Sequence, residues 1–131
     1  MFRRATRTAL SLTGLLALAA LAAPVAQATC PYPTAPASIP DGATASKEEM
    51  LAGKASIGTF NAAVEQYLAC LDTDLQAQLA ETTVSDDQRK SLQAMANAKH
   101  DAAVDELTAI AARFNEQVKA YKAKVAAATP K

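Results

Sequence analysis

Large apolar residues return along the middle of the chain at Met50, Ile57, Phe60, Val64, Tyr67 with Leu68, Leu71, Leu75 and Leu79. Steps of three, four and seven set them on one stripe of a helix, so the spacing predicts a helix over about 47–81. Ser46-Lys47-Glu48-Glu49 reads S-x-x-E, a capping box that opens it. The stripe stops at Leu79, and Thr82-Thr83-Val84 are poor helix formers. Ser85-Asp86-Asp87-Gln88 is a second capping signal, with two acids at the positive end of the next macrodipole. It predicts a second helix over about 86–127, striped by Leu92, Ala96, Ala103, Leu107, Ile110, Phe114, Val118, Tyr121 and Val125. That stripe repeats every eleven residues, an average of about 3.67 per turn, which favours nearly straight helices. Lys119, Lys122 and Lys124 are expected in the last turns, where cations suit the dipole, and Pro130 follows.

Two such helices with a short connection make an antiparallel hairpin, and the fold class is all-α. A turn centred between 83 and 84 pairs Leu75 with Leu92, Leu71 with Ala96, Val64 with Ala103, Phe60 with Leu107 and Ile57 with Ile110. It also sets Gly53 against Phe114, a small residue facing a large one. The second helix outruns the first, so Tyr121 and Val125 need another partner, and Ile39-Pro40 is the candidate.

Residues 29–45 form a proline-rich arm, with Pro31, Pro33, Pro36, Pro40 and Gly42. Prolines that dense favour polyproline II or turns over helix. Pro40-Asp41-Gly42 reads as a turn in which glycine supplies a positive φ. The arm also carries Cys30, whose one counterpart in the sequence is Cys70. From Ser46 up to Cys70 is about 36 Å of helix. Polyproline II from Cys30 to Ser46 reaches about 50 Å, so the arm can run back along the first helix and form a disulfide at Cys70. Tyr32 and the prolines would then lie on a shelf of Phe60, Ala63 and Tyr67.

Upstream of the arm, Arg3, Arg4 and Arg7 precede an apolar run from Ala9 to Ala23, and Ala26-Gln27-Ala28 follows. A basic start, about 15 apolar residues and an A-x-A site read as a Sec signal peptide over residues 1–28, cleaved after Ala28. Pro24 and Gln27 cut the run short of the ~20 residues a membrane span needs. The expected location is the periplasm or the exterior, where two cysteines pair readily.

Composition narrows the function classes. Thirteen Lys+Arg balance thirteen Asp+Glu, and the segment expected to be cleaved takes away three of those cations and no acid. A nucleic-acid protein would carry a basic excess instead. Half of the apolar residues are alanine, with no tryptophan and only six aromatics, which argues against a large core or a wide cleft.

His100 is the sole histidine and has no second ligand three or four residues away on its face, so no metal or other cofactor is expected. The register puts it across from Tyr67, where a Tyr–His hydrogen bond is the bland expectation. Asp72/Asp74 and Asp86/Asp87 flank the turn as solvated charge. No G-x-S-x-G, H-E-x-x-H or P-loop occurs, and an enzyme is not expected.

Phe60-Asn61-x-x-Val64-x-x-Tyr67-x-Ala69 and Phe114-Asn115-x-x-Val118-x-x-Tyr121-x-Ala123 share one pattern, F-N-x-x-V-x-x-Y-x-A. Phe, Val and Tyr at i, i+4 and i+7 share a helix face, so packing explains three of the five matches. The functional alternative is a duplicated recognition face of Phe60, Asn61, Tyr67, Phe114, Asn115 and Tyr121.

With C-P-Y-P, I-P-D-G-A and these two segments, the chain resembles small exported alanine-rich helical proteins of Gram-negative bacteria. That resemblance implies an envelope location and no mechanism. Helical periplasmic chaperones are a looser comparison, because the repeated L-T-x-x-Q pattern of one such family is absent. The functional expectation is a structural or partner-binding protein that binds a protein partner or itself, with monomer and homodimer both open. The alternative is a small chaperone-like or apolar-ligand-sequestering protein.

Overall fold

A computed structural model describes residues 30–129; the expected signal peptide and Pro130 lie outside them. Helix α1 spans Lys47–Ala80 and helix α2 spans Asp86–Ala128. They pack antiparallel through the 81–85 connection, and no strand occurs among the described residues.

Both helices start where their capping signals stand. The Ser46 hydroxyl accepts from the Glu49 N–H at 3.1 Å, and the Glu49 carboxylate accepts from the Ser46 N–H at 2.6 Å. The Ser46 backbone N–H, helped by the Ser46 hydroxyl, holds the Glu49 carboxyl below its ordinary pKa. Ser85 and Gln88 repeat the exchange at 3.3 and 2.8 Å. The end of α1 has a side-chain cap that sequence reading missed. Arg89 reaches back from α2 and donates to the Leu79 carbonyl at 2.6 Å. A guanidinium on terminal carbonyls suits the negative end of a helix.

The core is one continuous seam of Phe60, Val64, Tyr67 and Leu71 from α1 with Ala103 and Ile110 from α2. Ala103 is fully buried, so the helices approach closely where an alanine faces Val64. Leu71, Leu75, Leu92 and Ala96 line one groove near the turn, and Phe114 lies against Gly53, as the register requires.

The arm lies along this seam. Cys30 and Cys70 form a disulfide with their Cα atoms 5.7 Å apart, closing a separation of 40 residues. The Tyr32 ring meets Tyr67 edge-on at 5.2 Å, and Ala35 and Ile39 pack on the core further along. The arm then turns into α1 through Asp41, whose carbonyl accepts from Thr44 and Ala45 N–H at 3.1 and 2.7 Å.

Four expectations need correction. Gly42 has no positive φ; it is buried there because a Cβ would stand 1.8 Å from the Gln117 carbonyl oxygen. Close approach, not backbone handedness, requires glycine. Ile39-Pro40 does not cover Tyr121 and Val125. The Pro40 ring instead fills the gap left by Gly53, which holds it level with Phe114. The Asp41–Ala45 turn reaches Tyr121, while Val125 stays 43% exposed. The final turn of α2, over 125–128, carries no lysine; Lys119, Lys122 and Lys124 stand in the turns before it. Lys124 serves the arm, donating to the Ala45 carbonyl and lying over the Tyr121 ring at 4.8 Å. Finally, His100 does not meet Tyr67: it points outward to Asp101 at 3.2 Å, and Tyr67 takes the Tyr32 edge instead.

Candidate functional site

The disulfide arm divides the hairpin into two faces with different prospects. On the arm's side, α1 contributes Gly53, Tyr67 and Cys70, and α2 contributes Glu106, Ile110 and Gln117. Helical geometry, about 100° per residue, turns Leu68 of α1 and Val104, Leu107 and Val118 of α2 toward the other flank, while Ile57 and Leu75, one turn from Gly53 and Leu71, stay in the seam. All six are half-buried. Leu68, Val104, Leu107 and Val118 make an apolar flank away from the arm, and Ile57, Leu68 and Leu107 also pack against the core.

Polar bonds pin the arm at both ends. The Tyr32 hydroxyl donates to the Glu106 carboxylate at 2.7 Å. That bond, helped by burial and by the Glu106 charge, pushes the Tyr32 pKa up to about 12. At the other end the Gly42 N–H donates to Gln117 Oε1 at 2.9 Å. Neither bond was legible in advance, because each joins residues more than seventy positions apart with no local motif.

Crevices follow the edges of the arm. One of about 420 Å³ lies between Pro36–Asp41 and the Ile110–Gln117 stretch of α2. A second, about 430 Å³, lies on the α1 flank beside Glu49, Gly53 and Ser56. A smaller groove of about 120 Å³ lies beyond Cys70 toward the turn, where Met95 is 53% exposed.

The residues of the repeated segment fall in different places. Phe60 and Tyr67 are buried in the seam, whereas Phe114 and Tyr121 are half-buried. Asn61 donates to Glu65 at 2.7 Å along its own helix, and Asn115 is exposed. The six are not gathered into one surface. Of the acidic pairs, Asp74 accepts from Gln78 at 2.7 Å and Asp87 sits 3.7 Å from Lys90. Among the described residues no group of three or more His, Cys, Asp or Glu is placed to hold a metal ion, and no helix is long and apolar enough to cross a membrane.

The chain matches no protein-family model, no curated protein and no solved structure.

Proposed function

We propose that this chain is an exported, non-enzymatic helical protein that holds a protein partner along the hairpin face the arm leaves open. The carrying observation is the division of faces: a disulfide-fixed arm occupies one side of the seam, while half-buried Leu68, Val104 and Leu107 flank it on the other. A disulfide and a basic–apolar–A-x-A start both suit export to an oxidising compartment. Covering such a flank would add apolar burial, the main favourable term in protein association.

The test uses the oxidised chain after export. Its mass by light scattering and its retained proteins from envelope extract are compared with those of Val104→Glu, which places a charge in that flank. The reading expects a dimer or a retained protein that the variant loses. Identical masses and identical captures would remove it.

A chaperone-like role is the second reading, favoured by Met95 in a groove that joins Leu71, Leu75 and Leu92 with Asp74, Gln78 and Lys99. Methionine is a flexible, adaptable contact for varied apolar surfaces. Dose-dependent suppression of client aggregation, reduced by Met95→Glu, is its expected outcome; no suppression excludes it.

A further inference from the structure

The crevice on the α2 flank of the arm differs from its neighbours in which polar groups are already committed. Its walls are Pro36, Ile39 and Ile110, with Arg113, Glu116 and Gln117 on the α2 side. Both Asp41 carboxylate oxygens are occupied, accepting from the Ala43 N–H at 3.0 Å and the Thr44 hydroxyl at 3.2 Å. Glu116 accepts from Lys119 at 2.8 Å. Gln117 Oε1 accepts from Gly42, which leaves its Nε2 hydrogens as donors. Arg113 makes no hydrogen bond or ion pair with any described residue. Asp41 and one oxygen of Glu116 are therefore engaged by the protein, and the uncommitted donors are a guanidinium fork, a neighbouring amide and the Ser38 hydroxyl.

We propose that this crevice binds a carboxylate carried on a short aliphatic body. The Arg113 fork matches both carboxylate oxygens, a geometry that lysine cannot reproduce. Gln117 Nε2, one turn further along α2, supplies another donor. The aliphatic body lies on Ile39, Ile110 and Pro36, which inorganic phosphate would leave unused. A cavity of about 420 Å³ falls within the usual range for small ligands. The arm's placement makes the pocket, since Gly42 has no room to shift against Gln117. This inference rests on the binding reading but uses the opposite face of the hairpin, so a Val104→Glu variant leaves it intact.

The chemistry has two sources, a free short-chain acid or the C-terminus of a peptide ending in an aliphatic residue. Oxidised protein is titrated with octanoate, N-acetyl-leucine, N-acetyl-leucinamide and inorganic phosphate, following the Gln117 side-chain amide and Arg113 Nε signals by NMR. Saturable shifts with an acid but not with the amide are expected. Octanoate alone active assigns a free acid, and N-acetyl-leucine the tighter of the two assigns a peptide end. Arg113→Ala should weaken binding about tenfold or more, as loss of a charge-assisted fork does, with Arg113→Lys between. Arg113 is exposed, so an unchanged melting curve certifies the variants. Absence of saturable shifts with both acids, equal binding of the amide, equal binding of phosphate, or unaltered affinity in Arg113→Ala would overturn the proposal.

Discussion

Phe60, Val64 and Tyr67 are 2, 1 and 6% exposed, whereas Phe114, Val118 and Tyr121, at the same spacing in α2, are only half-buried. Identical helical patterning cannot account for the difference. The first copy lies in mid-seam, with Ala103 and Ile110 across from it and Cys30, Ala35 and Ile39 of the arm alongside. Tyr32 closes it from the arm's side. The second copy faces the start of α1, where Gly53 is small and the helix soon ends at Lys47. In an alanine-rich pair of helices the depth of a large residue is thus decided by what a third segment brings.

The comparison breaks first at the phenylalanines. Phe60→Ala should cost about 3–5 kcal/mol, the usual range for a buried aromatic. Phe114→Ala should cost roughly 1–2 kcal/mol, in proportion to its partial burial. Urea unfolding of both variants measures the two; equal losses would refute the role given to the arm.

Removing the disulfide comes next. Opening a loop with a separation of 40 residues should cost about 4 kcal/mol in the chain-entropy model. Cys30→Ser with Cys70→Ser should therefore melt well below the parent, keep most of its helix content at low temperature, and be cleaved first in the arm. It should also shrink the cost of Phe60→Ala toward that of Phe114→Ala, because the arm no longer holds its place over the first copy. A double-mutant cycle reads that coupling directly. Additive losses would show that the arm covers without contributing.

The helices, both capping boxes, the disulfide and the Gly53–Phe114 pairing were legible because each rests on short-range spacing or on simple reach. The arm's path was legible only in outline. Pro40 stops at Gly53 because a missing Cβ makes a gap there, and nothing in the proline spacing announces that gap. Gly42 misleads for a related reason: its neighbours suggest a turn type, while its actual constraint is the Gln117 backbone 75 positions away. The crevice beside Arg113 was invisible for the same cause, since its walls come from the arm and from α2. Long-range polar pairs leave no periodic trace.

Tyr32 offers a finer probe of the arm. Its pKa stands at about 12 in the folded chain, against an ordinary value of about 10. A folded value above the unfolded one means that the Tyr32–Glu106 bond contributes fully below about pH 10 and is lost as pH rises toward 12. Stability should therefore fall across that window in the parent and less in Tyr32→Phe. Tyr32 is 48% exposed, so solvent screening keeps the effect small. Urea midpoints on either side of the window measure it, and matching slopes in both proteins would detach Tyr32 from the arm's hold.

The smallest effect has the opposite sign. Gly58 lies in α1 two residues before Phe60, on nearly the opposite side of the helix, and a Cβ built there meets nothing within 4 Å. At the equivalent place in the second copy, two residues before Phe114, stands Ala112. Gly58→Ala thus makes the first copy locally resemble the second without touching the seam. Alanine in an open mid-helix position should raise stability by about 0.5–1 kcal/mol, chiefly by restricting the unfolded chain. If the depth of Phe60 comes from the arm, the variant should be more stable while Phe60→Ala costs as much as before. If depth came instead from a backbone peculiarity at Gly58, that cost would fall. A loss of stability would mean that another surface sits against the outer side of α1 in solution, which light scattering of the same samples would register as a change in mass.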